Sequence, residues 1–187
     1  MGQTLAQKII AKACNKDYVV PGEIEVAKID LAMIHDSGGP RRVKPILDHL
    51  GVGVWSSKKI VVVSDHYVPE FNPETKAIQK LTRDWVKSNN IKAFYDQMGI
   101  CHVVVPENGH LKPGMFVVGG DSHSPTGGAF GAYMFGIGAT EMAGVLATGE
   151  IWIKVPETIK INWSGPVSYT HLRAHETVLE LVCRLLL

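Results

Sequence analysis

Three short and mainly apolar runs constrain the fold most: KIVVV, ICHVVV and MFVVGG, at residues 59–63, 100–105 and 115–120. Each run has the length of a strand and contains β-branched valines, and none alternates between apolar and polar residues along its whole length. Continuous runs of this kind are typical of parallel strands that are covered on both faces. They predict strands inside a sheet that has helices on both sides.

Helical patterns lie between these runs. Thr4 and Gln7 have the spacing of a capping box, which predicts a helix over residues 4–14. Asn72 followed by Pro73 predicts the start of a helix over 72–90, because Asn is a favoured cap and Pro fits the first turn. Further helices are predicted from the HDSGGP turn to about Leu50, over 92–98 and within 128–149, and further strands over 23–30, 151–155 and 158–163. The alternation predicts an α/β fold with a three-layer α/β/α sheet.

Composition excludes several classes of function. The 187 residues are 45% hydrophobic, as in ordinary globular domains. The 19 Lys and Arg residues nearly balance the 18 Asp and Glu residues, and no long basic run occurs, so we expect no nucleic-acid partner. No apolar stretch is long enough to span a bilayer, and the N-terminal segment lacks a signal-peptide pattern. We therefore expect no membrane partner and a cytoplasmic location.

The three cysteines, Cys14, Cys101 and Cys183, are odd in number and far apart. This pattern excludes a disulfide framework, and without a C-x-x-C pair it gives no signature of a metal or cluster site. We expect Cys14 and Cys101 to be small buried residues.

Ionisable residues lie next to four of the predicted strands. They are His35-Asp36-Ser37 after the strand at 23–30, Asp65-His66 after the strand at 59–63, His102 within the run at 100–105, and Asp121-Ser122-His123 after the run at 115–120. Ligands of α/β sheets bind outside the carboxyl ends of the strands. If these ends meet, one crevice collects several imidazoles and carboxylates, which predicts a polar site rich in proton donors and acceptors.

An Asp beside a His fixes the imidazole tautomer and raises its pKa, which suits the His to donate a proton near neutral pH. In GGDSHSPTGG, the leading glycines permit a sharp exit from the strand, and Gly127 and Gly128 are expected to let a ligand approach the backbone. Ser122 is adjacent to His123 in sequence, and neighbours usually point apart, so a hydrolase triad is not predicted.

Simpler interpretations of the same residues stay open at this point. Asp65-His66 is compatible with a turn or a helix cap, and His102 with a core histidine whose hydrogen bonds are satisfied. Asp121-Ser122 is compatible with the cap of a following helix.

Four segments occur in the order and approximate spacing of a known family. They are DLAMIHDSGGP at 30–40, SDHYVPEF at 64–71, FYDQMGICHVVVPENGHLKPG at 94–114, and GDSHSPTGGAFGAYMFGIGATEMAGVLATGEIWIKVPETIKI at 120–161. Together they resemble the aconitase superfamily, and within it the large subunits of 3-isopropylmalate dehydratases and homoaconitases. The resemblance implies that residues 1–165 are the first α/β domain of an aconitase-type fold, in an incomplete subunit.

The resemblance implies a [4Fe–4S]-dependent hydro-lyase that acts on a hydroxy di- or tricarboxylic acid, such as 3-isopropylmalate or homocitrate/homoaconitate. It also implies a small subunit that supplies a serine as the base. Carried over by motif, Asp65 and His66 are the pair that protonates the departing hydroxyl. His102 and His123 form hydrogen bonds around the oxygens bound to the cluster.

The same family pattern gives roles to the remaining polar residues. Asp121 and Ser122 orient the base and hold a substrate carboxylate, and His35, Asp36 and Ser37 line the substrate pocket. HDSGG stands where many relatives have HDGT, so the choice of hydroxy acid is not predicted.

Two departures from the family pattern limit what the chain does by itself. The three cluster cysteines, a single Cys and a later C-x-x-C, are expected downstream, so no metal ligand is assigned in this chain. The segment PVSYTHLRAHETVLELVCRLLL at 166–187 does not continue the pattern and is expected to be a non-native tail that packs poorly. His171, His175 and Cys183 are therefore not assigned to a site.

Three other functions remain open from the sequence. One is a cluster-free, metal-dependent hydrolase that uses His66, His102, His123 and Asp121. Another is RNA binding, against which the near-neutral charge counts. The third is a fragment without catalytic activity of its own.

Overall fold

The structure, a computed structural model, describes residues 2–160 and 162. Its helices are α1 (Leu5–Ala13), α2 (Pro40–Leu50), α3 (Pro73–Ser88), α4 (Cys101–Glu107) and α5 (Ala139–Thr148). Its strands are β1 (Ile24–Lys28), β2 (Leu31–His35), β3 (Ile60–Ser64), β4 (Ala93–Asp96), β5 (Phe116–Gly119), β6 (Tyr133–Gly136) and β7 (Glu150–Lys154). Two 3₁₀ segments span Ser57–Lys59 and Ser124–Phe130. No helix in the described part of the chain is both long and apolar enough to cross a membrane.

Five strands form one parallel sheet in the order β4-β3-β2-β5-β6. The chain runs outward from β2 through β3 to β4 and then returns to the other side of β2 with β5 and β6. The strand order therefore reverses between β2 and β5, where Met33 pairs with Gly119. Loops that leave neighbouring strands in opposite directions open a crevice, which is the usual ligand position in an open α/β sheet.

Helices cover both faces of this sheet, which confirms the predicted three-layer α/β/α arrangement. On one face, the sheet packs with α1, α2, α3 and α5 around buried side chains such as Ile10, Trp85 and Leu146. On the other face, Met33 packs with Val105 of α4. Every residue of β3 is buried, which explains the apolar run from Ile60 to Val63.

The helix starts predicted from capping patterns are confirmed. At α1, Gln7 N–H donates to Thr4 Oγ1 at 3.3 Å and Thr4 N–H donates to Gln7 Oε1 at 2.8 Å. At α3, Asn72 and Thr75 form the same reciprocal arrangement, with distances of 2.8 and 3.2 Å. Both caps satisfy backbone donors that a helix leaves without partners, so local sequence determines these two ends.

The strand predicted over 151–155 is present as β7, but it lies outside the parallel sheet. It pairs with β1 in a separate two-stranded antiparallel sheet, where Val26 lies opposite Trp152. Residues 158–160 form no strand, and residues 161 and 163 of the strand predicted over 158–163 lie outside the described part of the chain.

The prediction of a strand over 100–105 is wrong, because Cys101–Glu107 forms helix α4. The run Val103–Val105 favours a strand locally. However, one carboxylate oxygen of Asp65 accepts the N–H of Cys101 at 2.6 Å and so satisfies a donor of the first helical turn. This cap comes from 36 positions earlier in the chain, so no local pattern reveals it.

Three other short elements differ from the prediction. Residues 92–98 contain strand β4 and not a helix, and residues 128–149 contain β6 before α5. Residues 31–35, predicted to follow a strand, form the fully buried central strand β2. Strands of four or five residues are stabilised mainly by their neighbours in the sheet, and a single sequence does not specify those neighbours.

Candidate functional site

Four polar segments meet at the crevice between β2 and β5, as the sequence predicted. They contribute His35 at the end of β2, Asp65 and His66 after β3, His102 in the first turn of α4, and Asp121 and His123 after β5. One ring nitrogen each from His35 and His66 and one carboxylate oxygen of Asp121 all lie within 4.8 Å of one another. A second group, Cys101, His102 and Asp121, meets the same limit and shares Asp121 with the first.

A cavity of about 320 Å³ opens at this edge of the sheet. Its lining consists of His66, Ile100, Cys101, His102, Asp121, His123 and Thr126. The volume lies in the range of small-molecule sites, and several titratable groups face it. The cavity therefore has the size of a small-ligand site, and titratable side chains lie around it.

Asp65 orients His66. His66 Nδ1 lies 2.6 Å from Asp65 Oδ1, while the other carboxylate oxygen holds the N–H of Cys101. Because Nδ1 faces a carboxylate, it carries the proton, and Nε2 is free to meet a ligand. The His66 side chain is 40% exposed, so a ligand in the cavity has access to it.

Asp36 organises the loop after β3 from within the core. Its side chain is fully buried. It accepts the backbone N–H groups of Asp65, His66 and Tyr67 at 3.4, 3.1 and 2.8 Å, and the side-chain amide of Gln79 at 2.6 Å. A buried carboxylate with this many donors is fully engaged by the protein. The structure therefore places Asp36 behind the pocket and not on its surface.

His35 lies directly against His66. Their rings stack with centroids 4.3 Å apart and planes inclined by 16°. His35 is only 2% exposed, and burial lowers its pKa, to which the nearby His66 adds. His35 is therefore neutral near pH 7.

Asp121 connects α4 to the turn after β5. Its Oδ2 lies 2.9 Å from His102 Nε2, and its Oδ1 accepts the N–H of His123 and the hydroxyl of Ser124, both at 3.1 Å. Burial alone would raise the pKa of Asp121, but the hydrogen bond and charge of His102 outweigh it, and Ser124 adds to their effect. The pKa of Asp121 is thus held well below its usual range, and Asp121 is a carboxylate near neutral pH.

The turn that carries Asp121 packs closely on β6. A Cβ atom at Gly136 would lie 2.0 Å from the carbonyl oxygen of Asp121, so this approach requires a glycine. A Cβ at Gly127 would instead lie 2.5 Å from Sδ of Met134, and both Gly127 and Gly128 are buried. Both glycines are therefore closed to a ligand, contrary to expectation, and at Gly127 the missing side chain makes room for Met134.

The other predicted site residues occupy the edge of the site. Ser37 is half-buried, with its hydroxyl 2.8 Å from His35 Nδ1. Ser122 and His123 are exposed, and His123 Nδ1 lies 3.8 Å from Asp121 Oδ2. The rings of His102 and His123 have centroids 6.0 Å apart.

Sequence reasoning missed Gln79 and Ser124, which support Asp36 and Asp121. One signal for Gln79 was available in the sequence. Thr75, Gln79 and Thr82 form a polar stripe at helical spacing, and all three are buried. A buried polar stripe on a helix indicates polar partners inside the protein.

The described residues do not hold an iron–sulfur cluster. Cys14 packs with the core on the α1 face of the sheet, whereas Cys101 packs on the opposite face. Cys101 is buried as predicted, and Cys14 is half-buried. Burial raises the pKa of both thiols, which disfavours the thiolate form that binds iron. Cys183 lies outside the described residues.

Comparison with known proteins gives one consistent result. The sequence profile of the Aconitase family (aconitate hydratase) matches residues 7–185. The chain is 44% identical over 185 residues to a protein named probable 3-isopropylmalate dehydratase large subunit from Methanothermobacter thermautotrophicus, covering 98% of this chain and 44% of that protein. It is 47% identical over 167 residues to 3-isopropylmalate dehydratase large subunit 1 from Methanopyrus kandleri, covering 88% of this chain and 40% of that protein.

A further relative is the probable methanogen homoaconitase large subunit of Methanothermobacter thermautotrophicus, 40% identical over 183 residues, with 95% of this chain and 42% of that protein covered. The chain thus spans less than half the length of these relatives. The family match continues into 166–187, the segment expected to be non-native. That segment lies outside the described residues, and the boundary at 165 stays a prediction.

Proposed function

This chain belongs to the aconitase family, and on that premise we propose that the full-length protein is the large subunit of a hydro-lyase. Its substrate is a hydroxy di- or tricarboxylic acid such as 3-isopropylmalate or homocitrate/homoaconitate. The names of the relatives support this substrate class. The 187-residue chain alone is proposed to be inactive, because the two cysteines among the described residues lie on opposite faces of the sheet and do not form a cluster site.

The observation that carries the proposal is the meeting of two Asp–His pairs at one cavity. Asp65–His66 and Asp121–His102 have contacts of 2.6 and 2.9 Å, and His66, His102 and Asp121 line the same cavity. An elimination of water needs an acid for the departing hydroxyl and fixed polar groups for the carboxylates. Both are available at this cavity.

His66 is proposed as the acid. With Nδ1–H held by Asp65, a protonated His66 presents Nε2–H toward the cavity. As the carbon–oxygen bond breaks, Nε2 gives its proton to the departing hydroxide, which leaves as water. The proton on carbon goes to a base outside this chain, which we propose to be a serine of a small subunit. Asp65 stabilises the imidazolium before the transfer and the correct tautomer after it.

His102, His123 and Ser122 are proposed to hold the remaining oxygens of the substrate, with Asp121 orienting His102. His123 lines the cavity and Ser122 precedes it in the chain, and both are exposed to an approaching carboxylate. His102 is fixed by Asp121. Asp36 is proposed to act by positioning the loop of Asp65 and His66, since its oxygens are occupied by donors of the protein.

We include a [4Fe–4S] cluster in the proposal, with cysteine ligands that lie outside the described residues. When bound, such a cluster supplies a Lewis acid for the substrate hydroxyl. Two features support a cofactor at this edge: the membership of the family, and a cavity that is lined by titratable residues but has no activated nucleophile among the described residues.

The test is an activity assay of the full-length large subunit with its small subunit, prepared without oxygen. Addition of 3-isopropylmalate or homocitrate should produce an unsaturated acid, followed by its ultraviolet absorbance. The large subunit assayed without the small subunit should be inactive and serves as the control. If an intact complex with a spectroscopically verified cluster converts neither acid, the proposal is rejected.

A further inference from the structure

The two-stranded ribbon of β1 and β7 has an exposed apolar face. Val26 and Trp152 lie opposite each other in its register, and Ile24 is the next outward residue of β1. Val26, Trp152 and Ile24 are 58%, 64% and 68% exposed. Opposite and diagonal neighbours on one face of a ribbon lie within reach of each other. The three side chains therefore form one continuous stripe, the ribbon face.

The other face of the ribbon is already covered. Ala27 is fully buried and Ile153 is 9% exposed, and both belong to the core that includes residues of α1 and α5. The sequence of β7 nevertheless has three consecutive apolar residues, Ile151, Trp152 and Ile153. A strand with one face in water usually alternates, whereas a continuous apolar run is typical of a strand covered on both faces. The described residues cover only one face of this strand.

The ribbon joins the parallel sheet at the edge away from the cavity. β1 leads into the amino end of β2, and the N–H of Asp30 between them donates to the carbonyl of Phe116, at the start of β5, at 2.9 Å. The cavity instead opens near the carboxyl ends of the parallel strands, where His66 lies. A small subunit that supplies a base to this cavity meets the opposite edge of the sheet. The ribbon face therefore needs a different occupant.

We propose that the ribbon face is an internal interface of the full-length subunit, covered by the part of that subunit that lies beyond this chain. The chain spans less than half the length of the relatives compared above. A full-length subunit of that size has more residues outside this chain than within it. A segment of the same polypeptide also meets the face at a high effective concentration, which a separate molecule lacks.

The composition of the ribbon face predicts the chemistry of the surface that covers it. Trp152 lies near the centre of the stripe, and Trp is among the residues that most often carry the binding energy of an interface. Lys154 lies opposite Ile24, and Lys28 lies at the other end of the ribbon, and both lysines are exposed. An apolar centre with a charged rim is the usual anatomy of an interface. The covering surface is therefore apolar opposite Trp152 and polar or acidic around it.

The first experiment compares the access of solvent to one side chain in two forms of the protein. Hydroxyl-radical labelling followed by mass spectrometry should oxidise Trp152 readily in the 187-residue chain. In the full-length large subunit without its small subunit, oxidation of Trp152 should fall to the level of Trp85. Trp85 is 4% exposed in the core and should react slowly in both forms.

The second experiment measures what the contact contributes to stability. Trp152→Thr removes the large apolar side chain but keeps a residue that favours strands. It should lower the melting temperature of the full-length subunit by several degrees, because the interface loses its central side chain. The shift should be much smaller in the 187-residue chain, where only the contact with Val26 is lost. Leu50→Gln, at a 58% exposed position on α2, should give small and equal shifts in both forms.

The labelling experiment also distinguishes the possible occupants. Trp152 that stays reactive in the full-length subunit overturns the inference. Protection that depends on protein concentration, or that requires the small subunit, also overturns it, because the cover is then another molecule. Protection in the 187-residue chain at every concentration overturns it as well, because the chain then covers the face itself. An inactive complex rejects the proposed hydro-lyase but does not affect this measurement.

Discussion

Asp65 caps the helix that begins at Cys101, with a carboxylate oxygen 2.6 Å from the Cys101 N–H. The other oxygen of the same side chain holds His66. One carboxylate therefore connects the loop after β3 to α4 and brings the helix that carries His102 to the cavity. The position of one Asp–His pair thus depends on the other through the backbone of α4.

Removal of this cap should loosen α4. Asp65→Ala should lower the free energy of unfolding by about 1–2 kcal/mol, because the first turn of α4 loses an acceptor for its N–H. Hydrogen exchange of the Cys101 amide should speed up in the 187-residue chain. Glu107→Ala, at the exposed far end of α4, should leave it unchanged. Normal protection of the Cys101 amide in Asp65→Ala would contradict the capping role.

His66→Ala should lower kcat of the full-length complex by about 10²–10⁴, the range expected for loss of a general acid. The matched control is His49→Ala, since His49 is exposed near the end of α2, away from the cavity. Steady-state kinetics with the hydroxy acid measure both. Near-normal turnover by His66→Ala would mean that another group protonates the hydroxyl.

Asp36→Ala should be strongly destabilising, by about 3–5 kcal/mol, because it leaves several buried donors without an acceptor. Asp36→Asn should lower the free energy of unfolding by less, since its amide oxygen still accepts hydrogen bonds. Urea unfolding of the two variants and the wild type measures these changes. Asp48→Ala, at an exposed position on α2, should change stability by less than about 0.5 kcal/mol. A mild effect of Asp36→Ala would show that the loop after β3 does not depend on this carboxylate.

Acid should weaken the fold through Asp121. Its pKa in the folded chain is lower than in the unfolded chain, where Asp titrates near about 3.9. The unfolded state therefore takes up the proton first, so this stabilisation is complete above that pH and is lost as the pH falls toward the folded pKa. The stability advantage of the wild type over Asp121→Asn should be constant near neutral pH and shrink below about pH 4. Parallel pH curves for the two proteins would exclude the effect.

Local sequence determined the elements whose stabilising contacts are local. The capping groups of α1 and α3 lie three residues apart, and the buried runs of β3 and β5 follow from being covered on both faces. The sequence also predicted that the polar residues after the strands lie at one edge of the sheet, because parallel strands all present their carboxyl ends there. The meeting of His35, His66 and Asp121 was therefore predictable as a region, though not as a geometry.

Only the tertiary structure decided the features that depend on partners distant in the chain. Val103–Val105 is helical where a carboxylate from the loop after β3 reaches the first turn, and β4 and β6 are strands because neighbours pair with them. Asp36 lies behind the pocket because Gln79 and the loop after β3 surround it. Hydrogen bonds between distant segments form only when the chain has brought those segments together. The sequence therefore shows which donors and acceptors are present, and only the fold determines which of them pair.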